Sequence, residues 1–251
     1  MPTSQSQTLT SELLQRLSKF DFGDVPSEFE VKLFFREAEK LKKVDLSEGW
    51  MVAGIIDTLV YNYEGAKKAF EKSLSNGPSD MDIVVSNYTL ALQRLGRFEE
   101  AMELIKKHVS DDNFILLNDA FLLALKTGLF NEATFYAEKL KKFSTHENPD
   151  TEHLKDLKAD CDELNISESD CSAVHLLALN AVQDKKIPVV EIAVRRNDEN
   201  DNSLILLFYV DADADTLSNI GLTIIDKLVE TDIAAVIEQK VTPLVMKGFK
   251  Q

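Results

Sequence analysis

The chain has 251 residues, enough for one large domain or two small ones, and its 44% hydrophobic and 28% charged residues are ordinary for a soluble globular protein. Its formal net charge is −15, and both halves of the chain are acidic. Because neither half offers the excess of Lys and Arg that neutralises phosphates, we expect no nucleic-acid partner.

The N-terminal segment and the cysteine content bear on the compartment. Residues 1–10 are rich in Ser, Thr and Gln, and they lack the basic segment and the apolar run of a secretory signal. The longest apolar run, 204–210, is too short to cross a bilayer. The two cysteines are too few for a disulfide framework, although they leave a single disulfide open. These features predict a cytoplasmic protein that has no membrane partner.

Residues 9–43 predict two helices. Four leucines between residues 9 and 17 have helical spacing, which predicts a short amphipathic helix over 9–20. After an interruption at 21–26, Ser27 with Glu30 resembles a capping box and begins a second helix. This pair of helices is either a degenerate copy of the repeat that follows it or an element that caps that repeat.

A motif recurs along residues 46–143. Ala66, Ala101 and Ala133 mark the same position in three successive copies, and their spacing is close to the roughly 34 residues of helix–turn–helix repeats. Small residues in the motif let two antiparallel helices approach closely, and aromatic residues fill the space around the crossing. The first copy is the most complete, and it contains in order Trp50, Gly54, Tyr63, Ala66, Phe70 and Pro78.

The order of these residues resembles the tetratricopeptide repeat (TPR) family. The resemblance covers roughly residues 46–143, and it implies a TPR-like superhelix of stacked helix pairs over residues 1–165. An acidic helix over 151–164 would cover the end of the stack. A protein of this family binds other proteins in the concave surface of the superhelix.

In this family the first helix of each repeat lines the concave surface. The resemblance therefore implies a groove with apolar anchors beside polar groups, which suits an extended or helical peptide. The residues that it places there are Met51, Ile55, Leu59, Asn87, Leu90, Arg94, Asn118, Asp119, Leu122 and Lys126.

One variant of the family, the carboxylate clamp, grips the C-terminal tails of chaperones with paired Lys, Arg and Asn side chains. Asn87 matches this clamp, whereas the other clamp positions hold Met51, Ile55, Ile115 and Asp119. We therefore do not expect a co-chaperone of the carboxylate-clamp type.

Residues 166–251 follow a different pattern and resemble no family. They predict a helix over 167–183, strands over 188–196 and 203–210, and a mostly helical segment over 216–247 that is broken near Pro243. The result is an α-β-β-α module. Because two strands alone are marginal in water, a further hypothesis is that the 188–210 hairpin pairs across a two-fold axis in a homodimer.

Two clusters could carry chemistry. Asp211, Asp213 and Asp215 follow a strand and could supply oxygen ligands to a divalent cation, but capping of the next helix is the favoured interpretation. Cys171 and His175 share a helix face and could join Cys161 and His153 in a zinc site. No close ligand spacing supports that site, so buried thiols and a solvated histidine are expected. We predict no metal, no cofactor and no enzymatic activity.

The sequence thus predicts a non-catalytic adaptor, scaffold or specialised chaperone that holds a protein or peptide in the repeat groove. The acidic surface would favour a basic partner. An alternative is an immunity- or antitoxin-like inhibitor that neutralises a basic protein. A less favoured alternative is a metal-dependent enzyme that uses the Asp211–Asp215 loop.

Overall fold

The computed structural model describes residues 4–21, 23–143, 149–197 and 200–248 of the chain. In these residues the chain forms twelve α-helices, one short 3-10 helix and three β-strands. The prediction of a mainly helical protein with a small β-element near the C-terminus is therefore confirmed, whereas the TPR-like superhelix stays a prediction. Within the described ranges, no helix is long and apolar enough to cross a membrane.

The chain divides into two compact units, Met1–Leu116 and Leu117–Gln251, called unit 1 and unit 2 below. The division falls inside one helix, and the predicted domain boundary at 165/166 lies within unit 2. The sequence HENPD at 146–150 predicts a break between helices, and NDENDN at 197–202 predicts a turn; both overlap residues outside the described ranges.

Unit 1 is built from helices. Ser27 begins the second of them with the predicted capping box, in which its hydroxyl accepts from the backbone N–H of Glu30 and the Glu30 carboxylate accepts from the N–H of Ser27. The helices are α1 (Ser4–Leu17), α2 (Glu28–Leu41), α3 (Leu46–Leu59), α4 (Tyr63–Ser75), α5 (Met81–Arg94), α6 (Phe98–His108) and the start of α7 (Phe114–Lys126).

At the crossing of α3 and α4, residues of the repeat motif contact each other as predicted. A Cβ added to Gly54 would lie 2.6 Å from the ring of Phe70, so the glycine permits this close approach. Ser47 and Ser73 join the same two helices, since each hydroxyl donates to the backbone carbonyl of the other residue at 2.8 Å. Phe70 stacks in turn on Tyr88 of α5, with 4.7 Å between the ring centroids.

The two N-terminal helices belong to the core of unit 1. Leu13 and Leu17 of α1 are buried, and they pack with Phe34 of α2 and with Val52 and Ile56 of α3 in one hydrophobic cluster. Burial of these side chains fixes α1 against α3.

Unit 2 combines helices with a sheet. The helices after α7 are α8 (Phe130–Leu140), α9 (Pro149–Leu164), α10 (Glu168–Gln183), α11 (Ala214–Val229) and α12 (Ala234–Ile237), with a 3-10 turn at Lys141–Phe143. The strands are β1 (Val189–Asn197), β2 (Asn200–Val210) and β3 (Val241–Lys247).

The sheet corrects the predicted α-β-β-α order. Residues 241–247, expected to be helical, form the third strand, so that the order in the sheet is β1-β2-β3. β1 and β2 pair antiparallel as the predicted hairpin, and β3 joins β2 in parallel after the α11 crossover. Pro243 is compatible with this position because β3 pairs with one strand only, and proline is tolerated at a sheet edge.

Candidate functional site

The candidate site is a cavity in unit 1. It has a volume of about 330 Å³ and lies between α1, α3, α5 and the loop that follows α1. This volume is at the lower end of the range for ligand sites, and it could accept one or two large apolar side chains. The cavity is lined by Leu14, Leu17, Ser18, Phe20, Ile55, Thr58, Leu59, Asn87, Leu90, Ala91 and Arg94.

The walls of the cavity are mostly apolar. Leu17 of α1 and Leu59 of α3 are buried, whereas Leu90 of α5 is 54% exposed although it lines the same cavity. An exposed leucine beside a concave apolar surface is the arrangement that a docking side chain can cover.

Two polar side chains of the lining already have partners within their own helices. The Thr58 hydroxyl donates to the Gly54 carbonyl at 2.8 Å. The Asn87 amide donates to the Ile83 carbonyl at 2.9 Å and lies 3.7 Å from the sulfur of Met51. The amide oxygen of Asn87 is an acceptor that a bound peptide could use.

Arg94 holds one wall of the cavity in place. Its Nη2 donates to the backbone carbonyls of Asp21 at 3.0 Å and Asp24 at 3.1 Å, and its Nη1 lies 3.5 Å from the carbonyl of Phe20. One guanidinium thus binds the backbone of the α1–α2 loop at three points through two of its nitrogens.

The cavity brings together half of the predicted groove residues. Ile55, Leu59, Asn87, Leu90 and Arg94 all line it. Met51, the sixth predicted residue of unit 1, is only 2% exposed and packs inside the unit.

The four remaining groove residues belong to α7 in unit 2. Leu122 is 50% exposed. Asn118, Asp119 and Lys126 are half-buried, and burial lowers the pKa of the Lys126 ammonium because it loses water. A continuous groove across all ten residues stays a prediction.

Several lining residues were not predicted as site residues. Leu14, Leu17 and Phe20 come from a segment that could not be aligned with the repeat motif, so no register placed them on the concave side. The helical spacing of the leucines between 9 and 17 did predict an amphipathic helix, but it did not show which surface the helix covers.

The aspartate loop after β2 acts as a helix cap. Asp213 accepts a hydrogen bond from the Thr216 backbone N–H at 2.7 Å, and this bond lowers the pKa of its carboxyl group. The capping interpretation is therefore confirmed. Among the residues that the structure describes, no group of three or more His, Cys, Asp or Glu could hold a metal ion.

The Cys–His cluster forms part of the core of unit 2. Cys161 and Cys171 are free and buried, as expected. The expectation of a solvated histidine is wrong for His175, which is fully buried and has Nδ1 at 2.8 Å from the Cys171 carbonyl. Burial lowers the pKa of His175 to about 4, so its ring is neutral at pH 7. The side chain of His153 lies outside the described residues.

Comparison with known proteins gives no relative for this chain: no protein-family model, no curated protein and no solved structure matches it.

Proposed function

We propose that the protein is a non-catalytic adaptor that binds a protein or peptide partner in the unit 1 cavity and on the surface beside it. The observation that carries the proposal is the cavity itself, an apolar concave site lined by residues of three helices and of one anchored loop. Apolar anchors with a few polar groups are typical of grooves that receive an extended or helical peptide.

The partner that fits this site presents a bulky apolar side chain. Such a side chain would fill the cavity and cover Leu90, while the amide of Asn87 would bind the neighbouring backbone of the partner. The net charge of −15 would speed the encounter with a basic partner, because opposite charges steer association.

The test is photo-crosslinking in the source cell. A photoreactive amino acid replaces Leu90, which lines the cavity, and in a matched variant it replaces Glu103, which is exposed on α6 and does not line it. We expect one dominant adduct from position 90 and none of the same mass from position 103. Ala91→Phe, which fills the cavity, should reduce the yield of that adduct.

Two results would contradict the proposal. The same adduct from both positions would mean that the partner covers the acidic outer surface, as an inhibitor of a basic protein would. Absence of any adduct from position 90 would remove the cavity as the binding site.

A further inference from the structure

The sheet of unit 2 has one covered face and one face that is partly exposed. Leu204, Leu206 and Phe208 of β2 point to the covered face, where they are buried and where the Phe208 ring lies 5.8 Å from the ring of His175 on α10. Successive side chains of a strand alternate between faces. The outer face, defined by this alternation and by the strand register, consists of Glu191, Ala193, Arg195, Ile205, Leu207, Tyr209, Thr242, Leu244 and Met246.

Apolar side chains dominate the outer face. Ala193, Leu207 and Leu244 stand side by side on the three strands and form its middle row. Leu244 and Met246 on β3 are 41% and 45% exposed, whereas Leu207 on the central strand is only 4% exposed. An apolar strand surface of this kind is usually covered by another element or by another chain.

The charges of the outer face are self-complementary. Glu191 and Arg195 are both exposed, they lie two residues before and two residues after Ala193, and neither forms an ion pair within the described residues. A separation of four strand residues is about 13 Å, so the two side chains are too far apart to pair with each other in one copy.

The arrangement has a two-fold axis between the two stacked sheets, parallel to the middle row. Rotation about this axis reverses the direction of the strands. It places Glu191 of one copy opposite Arg195 of the other, and the same pair forms a second time on the other side of the axis. The operation also places Leu207 against Leu207, Leu244 against Leu244, and Tyr209 against Ile205. No like charges meet in this arrangement.

We infer that the outer face is a homodimer interface, in which the sheets of two copies stack face to face. The inference is independent of the proposed adaptor function. It differs from pairing of the 188–210 hairpin edge to edge, because side chains and not backbone groups make the contact.

The size of the face limits the kind of dimer that it can form. Three strands of seven residues cover an area of about 14 by 20 Å, or about 300 Å² in each copy. Stable interfaces bury about 800 Å² in each partner. Because the face is less than half of that size, we expect weak, reversible association.

Sedimentation velocity of the full-length chain over a concentration series tests this inference. The unchanged protein should show a reversible monomer–dimer equilibrium. Glu191→Arg and Arg195→Glu should each weaken self-association at least about tenfold, because each places like charges across the interface.

An equimolar mixture of the two variants restores opposite charges across the axis. We expect the mixture to form heterodimers, and we expect the double variant Glu191→Arg/Arg195→Glu to form homodimers again. Restoration would also show that each variant is folded, since a misfolded chain could not recover the interface. Leu244→Asp should give a monomer.

Three outcomes would overturn the inference. The first is a protein that stays monomeric at every concentration, and the second is a mixture of the charge variants that stays monomeric. The third is a Leu244→Asp variant that dimerises as strongly as the unchanged protein, which would indicate pairing through a sheet edge.

Discussion

Gly128 lies against His175 so closely that a Cβ at position 128 would be 2.5 Å from the Nδ1 of the imidazole. The glycine also has φ = +72°, a left-handed conformation that side chains disfavour. His175 cannot move away easily, because its ring makes edge contacts with Phe130 and Phe208. The absence of a side chain at position 128 is thus a condition for burying this histidine.

Gly128→Ala should therefore destabilise the protein by more than the backbone strain alone. The strain of a left-handed alanine costs about 1–2 kcal/mol, and displacement of the His175 ring adds to it. Gly77→Ala is the matched control, because Gly77 has φ = +65° but open space around its Cβ position. Urea unfolding of both variants measures the difference, and equal losses would show that the contact with His175 carries no cost.

The buried imidazole should make stability depend on pH. His175 has a folded pKa of about 4, below the value of about 6.5 for an unfolded histidine. The unfolded chain therefore binds the proton more readily. The contribution of His175 to the free energy of unfolding is present when the imidazole is neutral in both states, and it falls as the pH drops from 6.5 towards 4. Between pH 7 and pH 5 the linked loss is about 2 kcal/mol.

The matched variant for this pH dependence is His175→Asn, which keeps an N–H near the Cys171 carbonyl but cannot titrate. Its free energy of unfolding should change less between pH 7 and pH 5 than that of the unchanged protein, by about 2 kcal/mol. Equal pH dependence in the two proteins would mean that His175 is not the responsible group.

Local signals predicted the helical part of the fold. The Ser27–Glu30 capping box and the glycine at the α3–α4 crossing were predicted from short sequence patterns, because both depend on residues that are close in sequence or that belong to one motif. β3 was missed because a short apolar run with a proline fits a helix end or an edge strand equally well. Its pairing with β2 depends on a distant segment.

The glycine at the α3–α4 crossing gives a second test of packing. Gly54→Ala would place a Cβ 2.6 Å from the ring of Phe70, which is fully buried. We expect destabilisation of about 1–3 kcal/mol, as for other overpacked cores. Gly221→Ala, in α11, is the control, because nothing lies within 4 Å of its Cβ position.

At that control position alanine should stabilise the helix by about 0.5–1 kcal/mol, since glycine is a poor helix former. Thermal unfolding of the two variants should therefore shift in opposite directions. A Gly54→Ala variant as stable as the unchanged protein would show that α3 and α4 can separate without cost.

The candidate site could be predicted only in part. Asn87, Leu90 and Arg94 were placed by the repeat register, because each lies on the first helix of a motif copy. The partner of Arg94 could not be predicted, since the carbonyls of Asp21 and Asp24 belong to a loop, and no side-chain pattern reports a backbone contact.

The contact between Arg94 and that loop leads to the last prediction. Arg94→Ala removes hydrogen bonds to the carbonyls of Phe20, Asp21 and Asp24, so the loop should open more often. Trypsin should then cleave after Lys19, an exposed residue beside the loop, several times faster than in the unchanged protein.

Arg94→Lys should protect the loop less well than arginine, because one ammonium nitrogen replaces the two nitrogens that bind the carbonyls. Lys68→Ala, which removes an exposed charge on α4, is the control and should leave the rate after Lys19 unchanged. Equal cleavage rates in all four proteins would show that Arg94 does not hold the loop against the cavity.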